Sequence, residues 1–175
     1  MSQEQAAINT RAGFIGIVGP ANAGKSTLLN ALLGTKLSIV SRKPQTTRER
    51  ITGIVTHGDA QLIFVDTPGF VRDAGGAALT RFLRRNIEEV MDDIDIIVVV
   101  LDAQRCANSS SYLGSTLRSL FGRAAQPDFV VLNKVDAMEK EQLLPLILRI
   151  SEHFTNCSPD ILPLSALKSD GIDVF

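Results

Sequence analysis

Short apolar runs recur along the chain, and helical spacing of apolar residues follows most of them. Five runs are rich in Val and Ile and too short to cross a membrane, which is typical of buried strands. They are residues 14–18, 61–66, 94–102, 127–133 and 160–165. Helical spacing is found in residues 25–33, 79–92, 111–121 and 139–154. This alternation predicts an α/β fold in which a mainly parallel sheet is covered by helices on both faces.

Two further segments refine this picture. Residues 50–58 alternate loosely between apolar and polar, and a three-residue link containing Gly58 joins them to the next strand. Such a link is typical of a hairpin, so we expect a sheet of about six strands with one antiparallel edge strand. The last long helix contains Pro145, where a kink or break is expected. Only one turn of sequence follows Gly171, so we expect the chain to be cut inside its final helix.

The composition is that of one soluble globular domain. The chain has 175 residues, of which 45% are hydrophobic and 21% charged, enough to bury one core and too few for two large domains. The net charge of −1 and the pI of about 6.1 lack the basic field of a free-standing nucleic-acid binder. With no Trp and one Tyr, few platforms exist for stacking bases. Any RNA partner must therefore be held mostly by something else.

The cysteines and the first residues of the chain indicate the cellular compartment in which the protein is found. Cys106 and Cys157 show neither a CxxC pattern nor the spacing of metal ligands, which favours free thiols in a reducing environment. The first residues lack a basic segment followed by an apolar one, and no apolar run reaches the roughly 18 residues of a membrane span. We expect a cytoplasmic protein, at most peripheral to a membrane.

A glycine-rich motif, GPANAGKST, occupies residues 19–27 and fits the pattern G-x-x-x-x-G-K-[ST]. It follows a predicted strand and opens a predicted helix, where backbone N–H groups form a concave anion site. Lys25 is expected to reach the β- and γ-phosphates of a nucleotide, and the Ser26 hydroxyl to bind Mg²⁺. An ordinary strand-to-helix turn is the alternative. The predicted phosphate-binding residues are Gly19, Asn22, Ala23, Gly24, Lys25, Ser26 and Thr27.

A second motif, DTPG, lies at residues 66–69 at the end of a predicted strand. Asp66 can hold Mg²⁺ through water, and the Gly69 N–H can meet the γ-phosphate so that the following loop responds to it. Alone, this pattern is usually a turn, and its position after the glycine-rich motif gives it weight. The predicted nucleotide contacts here are Asp66, Thr67, Pro68 and Gly69.

A third motif, NKVD, closes the apolar run that ends at Asn133. The Asp136 carboxylate can accept two hydrogen bonds from the N1–H and amino group of guanine, whereas adenine offers no such pair of donors. Asn133 is expected to brace the loop and contact N7, and the Lys134 stem to lie along the base. The segment Ser165, Ala166 and Leu167 can present N–H groups to the guanine carbonyl.

The motifs in this order resemble those of the Era family, in the TrmE–Era group of translation-factor-class GTPases. The resemblance covers about residue 13 to the end, and SRKPQTTRER at residues 41–50 is its most specific part. It implies that residues 45–49 form the second G motif, in which Thr47 is a better candidate than Thr46 for a ligand of Mg²⁺. Without the family, the same stretch is a solvated basic loop. The predicted nucleotide contacts here are Gln45, Thr46 and Thr47.

The resemblance implies a Ras-like P-loop GTPase fold with three α/β/α layers. It places a tail at residues 1–12 and a G domain at residues 13–175. The implied metal ligands are Ser26, Thr47 and Asp66, and the implied catalytic residues are Asn22, Lys25, Thr47 and Gly69.

Phe70 raises a question about hydrolysis, because Ras-like GTPases have at that position a glutamine that orients the attacking water. Relatives with an apolar residue there include several whose P-loop asparagine coordinates K⁺. Asn22 is that asparagine in this sequence, so the resemblance implies slow hydrolysis stimulated by K⁺. The alternative is that Asn22 only tolerates an unusual turn conformation.

The resemblance also implies partners. Era proteins continue into a KH domain that binds the 3′ region of 16S rRNA in the small (30S) ribosomal subunit, and no KH loop is found in this chain. The expected function is a monomeric GTP/GDP switch in small-subunit assembly, with association to the inner membrane implied by the family alone. Two alternatives remain: a guanine-nucleotide sensor without useful turnover, and a P-loop ATPase, against which Asp136 argues.

Overall fold

A computed structural model describes residues 11–35, 51–66, 94–121, 126–154 and 157–174, and within them six strands form one sheet. The strands are β1 (Arg11–Val18), β2 (Ile51–His57), β3 (Ala60–Asp66), β4 (Ile96–Asp102), β5 (Phe129–Asn133) and β6 (Asp160–Pro163). They are ordered β2-β3-β1-β4-β5-β6. Every neighbouring pair is parallel except β2 with β3. The predicted mainly parallel sheet with one antiparallel edge strand is confirmed.

Helices cover both faces of this sheet. The described helices are α1 (Lys25–Thr35), α2 (Ala103–Asn108), α3 (Ser110–Phe121) and α4 (Leu143–Ser151). Along β4, Val98 and Val100 pack in a buried cluster with α1, whereas Val99 and Leu101 pack in a second cluster with the other three helices. Because successive strand side chains point to opposite faces, one continuous apolar strand serves both cores. The three-layer α/β/α arrangement is thereby confirmed.

The first strand begins earlier than its apolar residues suggest. Arg11 pairs with Ala60 in the register of β1 and β3, and its N–H donates to the Asp59 carbonyl at 2.9 Å. The sheet therefore includes Arg11 and Ala12, which the sequence assigned to a tail ending at residue 12. Backbone pairing with β3 extends the strand beyond its buried residues. An apolar pattern in the sequence predicts only the buried residues of a strand, so it missed Arg11 and Ala12.

The helix around Pro145 begins later than predicted. Residues Lys140–Gln142 form a 3₁₀ turn, and α4 starts at Leu143, which makes Pro145 its third residue. A proline in the first turn removes no helical hydrogen bond, because the N–H groups there have no partner within the helix. The expected break thus lies between Gln142 and Leu143.

Two other predicted helices have different outcomes. The helix predicted at residues 79–92 lies outside the described residues. Near the end of the chain, Ile172–Val174 form one 3₁₀ turn, and the buried Ile172 packs into the cluster on the α1 face. Across the described ranges, no helix combines the length and the hydrophobicity needed to cross a bilayer.

Both cysteines are free, as the sequence predicted. Cys106 is a buried residue of α2 that packs into the core, and burial raises the pKa of its thiol to about 12. Since the thiolate is the reactive form, Cys106 is a packing residue and no nucleophile.

Candidate nucleotide-binding site

The predicted site residues meet at the carboxyl edge of the sheet. Strand register places Asp66 opposite Ile17, near the start of the glycine-rich loop, and Asp102 opposite Asn133. Because β1, β3, β4 and β5 are parallel, the segments that follow them emerge on the same side. In open α/β sheets ligands bind in the crevice at this edge.

The glycine-rich loop, residues 19–24, is packed too closely for side chains at its two motif glycines. A Cβ on Gly19 would overlap the Val100 carbonyl, and a Cβ on Gly24 would overlap the Asn133 side-chain amide. Gly24 also has φ +95°, a conformation that side chains other than glycine's strongly disfavour. The loop enters α1 directly, so the first N–H groups of the helix, which lack partners within it, border the concave backbone.

Lys25 is tethered to the same loop. Its Nζ donates to the carbonyl oxygens of Gly19 and Pro20, each at 2.9 Å. An ammonium group is therefore fixed at the predicted phosphate site. Ser26 and Thr27 follow in the first turn of α1, and both residues are exposed.

Asn133 connects the glycine-rich loop to both segments that were predicted to recognise the base. It is only 2% exposed, and its Nδ2 donates to the Ala23 carbonyl at 2.9 Å. Its Oδ1 accepts the N–H of Lys134 at 2.8 Å and the N–H of Ala166 at 3.0 Å. One buried amide thus ties three loops together, while its predicted contact with guanine N7 stays a prediction.

Lys134 makes a second connection to the glycine-rich loop. Its backbone is left-handed, with φ 67°, and its Nζ donates to the Asn22 carbonyl at 2.6 Å. Asn22 has φ 63° and is exposed, and asparagine tolerates this conformation better than most residues. The Lys134 ammonium also pairs with Asp102, which belongs to none of the motifs. The sequence signal for Asp102 was only its position at the end of a buried strand.

Asp136 is held by the segment that begins at Ser165. The buried Ser165 hydroxyl donates to Asp136 Oδ1 at 2.7 Å, and Lys168 Nζ lies 3.7 Å from Oδ2. The hydrogen bond from Ser165, assisted by the charge of Lys168, lowers the pKa of the Asp136 carboxyl. The carboxylate is therefore ionised at neutral pH and fixed in orientation, as an acceptor for two N–H donors requires.

The backbone N–H groups that follow Ser165 have different hydrogen-bond acceptors. Ala166 N–H is engaged by Asn133, and Lys168 N–H donates to the Ser165 hydroxyl at 3.2 Å. Leu167 lies between them and is strongly exposed. The predicted hydrogen bond from this segment to a guanine carbonyl stays a prediction.

Several predicted site residues lie outside the part of the chain that the structure describes. They are Gln45, Thr46, Thr47, Thr67, Pro68 and Gly69, together with Phe70. The backbone of Asp66 is described as the last residue of β3. Among the described residues, no group of three or more His, Cys, Asp and Glu side chains is arranged to hold a metal ion.

The fold and these loops define a P-loop nucleotide-binding domain. A family model described as "50S ribosome-binding GTPase" matches residues 14–134, from β1 to the lysine of the NKVD motif. The chain belongs to this GTPase family.

Within the family, the chain is similar to Era. It is 40% identical over 168 residues to GTPase Era of Pseudomonas entomophila, covering 95% of this chain and 54% of that protein. It is 43% identical over 169 residues to GTPase Era of Desulfovibrio desulfuricans, with 94% and 54% covered. A crystal structure of Era with MgGDPNP and nucleotides 1506–1542 of 16S ribosomal RNA superposes with a TM-score of 0.67 at 34% identity, covering 94% and 54%. The chain spans about half the length of the curated relatives it matches.

Proposed function

We propose that this domain binds GTP with Mg²⁺ and hydrolyses it to GDP and phosphate as a molecular switch. The observation that supports the proposal is the hydrogen bond from Asn133 to the glycine-rich loop, together with the one from Ser165 to Asp136. These two bonds would hold the Asp136 carboxylate at a fixed distance from the proposed phosphate site. A site of this kind would bind both the phosphates and the base of a nucleotide. Membership of the GTPase family supports the same reading.

Base recognition follows from the Asp136 carboxylate. One of its oxygens is oriented by Ser165, which leaves lone pairs on both oxygens for the two donors on the guanine edge. Adenine would leave the carboxylate without donors from the base, and a site built around a polar group rejects analogues that fail to pair with it. The P-loop ATPase alternative is therefore disfavoured.

The residues present fit Mg²⁺, which prefers oxygen ligands. Ser26 is an exposed residue in the first turn of α1, and Asp66 ends β3 next to the glycine-rich loop in the register of the sheet. Thr47 completes the proposed set. When bound, Mg²⁺ would neutralise charge on the phosphate oxygens. Lys25 adds a fixed positive charge, and we propose that the Gly69 N–H meets the γ-phosphate.

Specific turnover is the first expected result. We expect single-turnover hydrolysis of GTP by this chain, with ATP hydrolysed at least about a hundredfold more slowly because it cannot satisfy Asp136. The measurement follows radiolabelled phosphate release with equal concentrations of each nucleotide. Comparable hydrolysis of ATP would contradict the proposal. Tight GTP binding without turnover would instead support the sensor alternative, which Phe70 favours because its side chain cannot orient water.

Potassium dependence is a second expected result, because Asn22 is proposed to coordinate a K⁺ ion whose charge assists hydrolysis where the glutamine is lacking. We expect hydrolysis to be about tenfold faster in KCl than in NaCl at equal ionic strength, through neutralisation of developing charge. Asn22→Gly removes the side-chain amide while keeping the left-handed backbone and the carbonyl that Lys134 binds. The variant should lose the preference for K⁺ and retain GDP affinity. An unchanged preference would assign Asn22 to the turn conformation alone.

For the whole protein, we propose a role in assembly of the small ribosomal subunit and maturation of 16S rRNA. The support is similarity to Era, one structure of which holds nucleotides 1506–1542 of that RNA. We assign the RNA contact to the half of those relatives that this chain does not span, predicted to be a KH domain. Residues 13–175, together with Arg11 and Ala12 of β1, would be the G domain, acting as a cytoplasmic monomer with peripheral contact to the inner membrane.

A further inference from the structure

Asp102 lies next to the proposed nucleotide site but belongs to none of its motifs. Its Oδ2 is 2.7 Å from Lys134 Nζ, and its Oδ1 accepts the Arg105 N–H at 3.0 Å as the N-cap of α2. The Asp102 side chain is 18% exposed and that of Lys134 is 37% exposed. Both oxygens of a partly buried carboxylate are thus engaged, one by a helix and one by the guanine-recognition loop.

The pairing continues into the glycine-rich loop. Lys134 Nζ, held by Asp102, donates at 2.6 Å to the Asn22 carbonyl. The contacts therefore run from α2 through Asp102 and Lys134 to the backbone that cradles phosphate. Asn133 joins the same two loops on the buried side, at Ala23. The two loops are connected at adjacent residues, once by the buried Asn133 amide and once by the Lys134 ammonium, which Asp102 holds.

We propose that Asp102 is a positioning residue for nucleotide binding, which it favours by holding the Lys134 ammonium against the Asn22 carbonyl. A lysine side chain has a flexible four-carbon stem and a strongly hydrated ammonium group, so a hydrogen bond to a single backbone carbonyl restrains it only weakly. The carboxylate supplies a charge-assisted second bond that fixes its direction. This inference rests on the proposed function and adds a residue to its site.

Helix capping is the competing explanation, and it can be separated from positioning by one substitution. Asparagine caps helices as well as aspartate does, so Asp102→Asn can keep the bond from Arg105 N–H to Oδ1. Its amide would then direct N–H donors at the Lys134 ammonium, where no acceptor remains. The variant therefore removes the charged pair and spares the cap of α2.

The test measures the dissociation rate of fluorescent GDP from the full chain. We expect Asp102→Asn to accelerate dissociation about tenfold, as the loss of a partly exposed charge-assisted bond implies, with little change in the melting temperature of the nucleotide-free protein. Asp95→Asn is the matched control. Asp95 Oδ2 accepts the Phe14 N–H at the other end of the sheet, so its dissociation rate should equal that of the wild type.

A double-mutant cycle with Lys134→Met decides whether Asp102 acts through the lysine. We expect Asp102→Asn to add less than about a twofold acceleration in the Lys134→Met background. The inference is overturned if Asp102→Asn alone stays within about twofold of the wild type, or if its effect persists undiminished in that background. Failure of the wild type to bind GDP would overturn the proposed function and this inference with it. Normal wild-type binding with an inert Asp102→Asn would overturn this inference alone.

Discussion

Replacement of Gly24 with alanine is expected to weaken GDP binding by roughly a hundredfold, equivalent to about 2.8 kcal/mol. The added methyl group has two independent unfavourable effects, one on the backbone conformation and one on packing. At φ +95°, an alanine is strained by about 1–3 kcal/mol. Its methyl group would also overlap the side-chain amide of Asn133, which cannot move without breaking its bonds to three loops. Isothermal titration with GDP and Mg²⁺ measures the change.

Gly34→Ala provides the matched control for this substitution. Gly34 lies near the end of α1 and is exposed, and no atom of the described residues stands within 4 Å of the position a Cβ would take. We expect GDP affinity to be unchanged and the free energy of unfolding to rise by about 0.5–1 kcal/mol, because alanine is the better helix former. Equal loss of affinity in both variants would show that the close packing of Gly24 is unimportant.

Substitution of Asp136 with asparagine should change the base that the site accepts. The oxygen of the new amide would still accept the Ser165 hydroxyl, but the group that replaces Oδ2 would be a donor facing the two donors of guanine. We expect GDP affinity to fall by about a thousandfold or more, since mismatched polar groups in a built site are rejected at about 10⁴–10⁵. Xanthine carries a carbonyl in place of the guanine amino group, so affinity for XDP should rise.

The measurement is competition of GDP, XDP and ADP against a fluorescent nucleotide. Glu139→Gln is the control, because Glu139 lies three residues away, is exposed and makes no capping hydrogen bond with its side chain. It should leave the order of affinities unchanged. If Asp136→Asn weakened GDP and XDP equally, the carboxylate would be acting on loop structure through Ser165, and direct base recognition would be excluded.

The sheet was predictable from the sequence because its strands are apolar on both faces. β4 carries seven residues of the pattern IIVVVLD between polar segments, which no surface strand would show. The antiparallel edge was predictable from Gly58 in the short link between β2 and β3. The start of β1 was not, because Arg11 and Ala12 are exposed and join the sheet through backbone pairing alone.

The site was predictable as a set of motifs, and Asn133 was expected to brace its loop, but the partners of these residues were not predictable. The patterns name Asn133 and Lys134, yet the partners of these residues in the glycine-rich loop lie 110 and 112 positions away. Those contacts depend on the register of β4 and β5, which places Asp102 beside Asn133. Helix α2 was missed because it has only six residues, too few to show a period. Its signal was Asp102 itself, an N-cap residue at the end of a strand.

The buried amide of Asn133 has a consequence for the kinetics of ligand capture. Its bonds to Ala23, Lys134 and Ala166 join protein groups only, so the loss of conformational freedom in these loops accompanies folding and not association. Preorganised surfaces lose less entropy when they bind. On this side of the site, the arrival of a base should therefore be limited by diffusion and desolvation. Slow steps in the proposed cycle of GTP binding and hydrolysis would arise at the residues that contact the γ-phosphate.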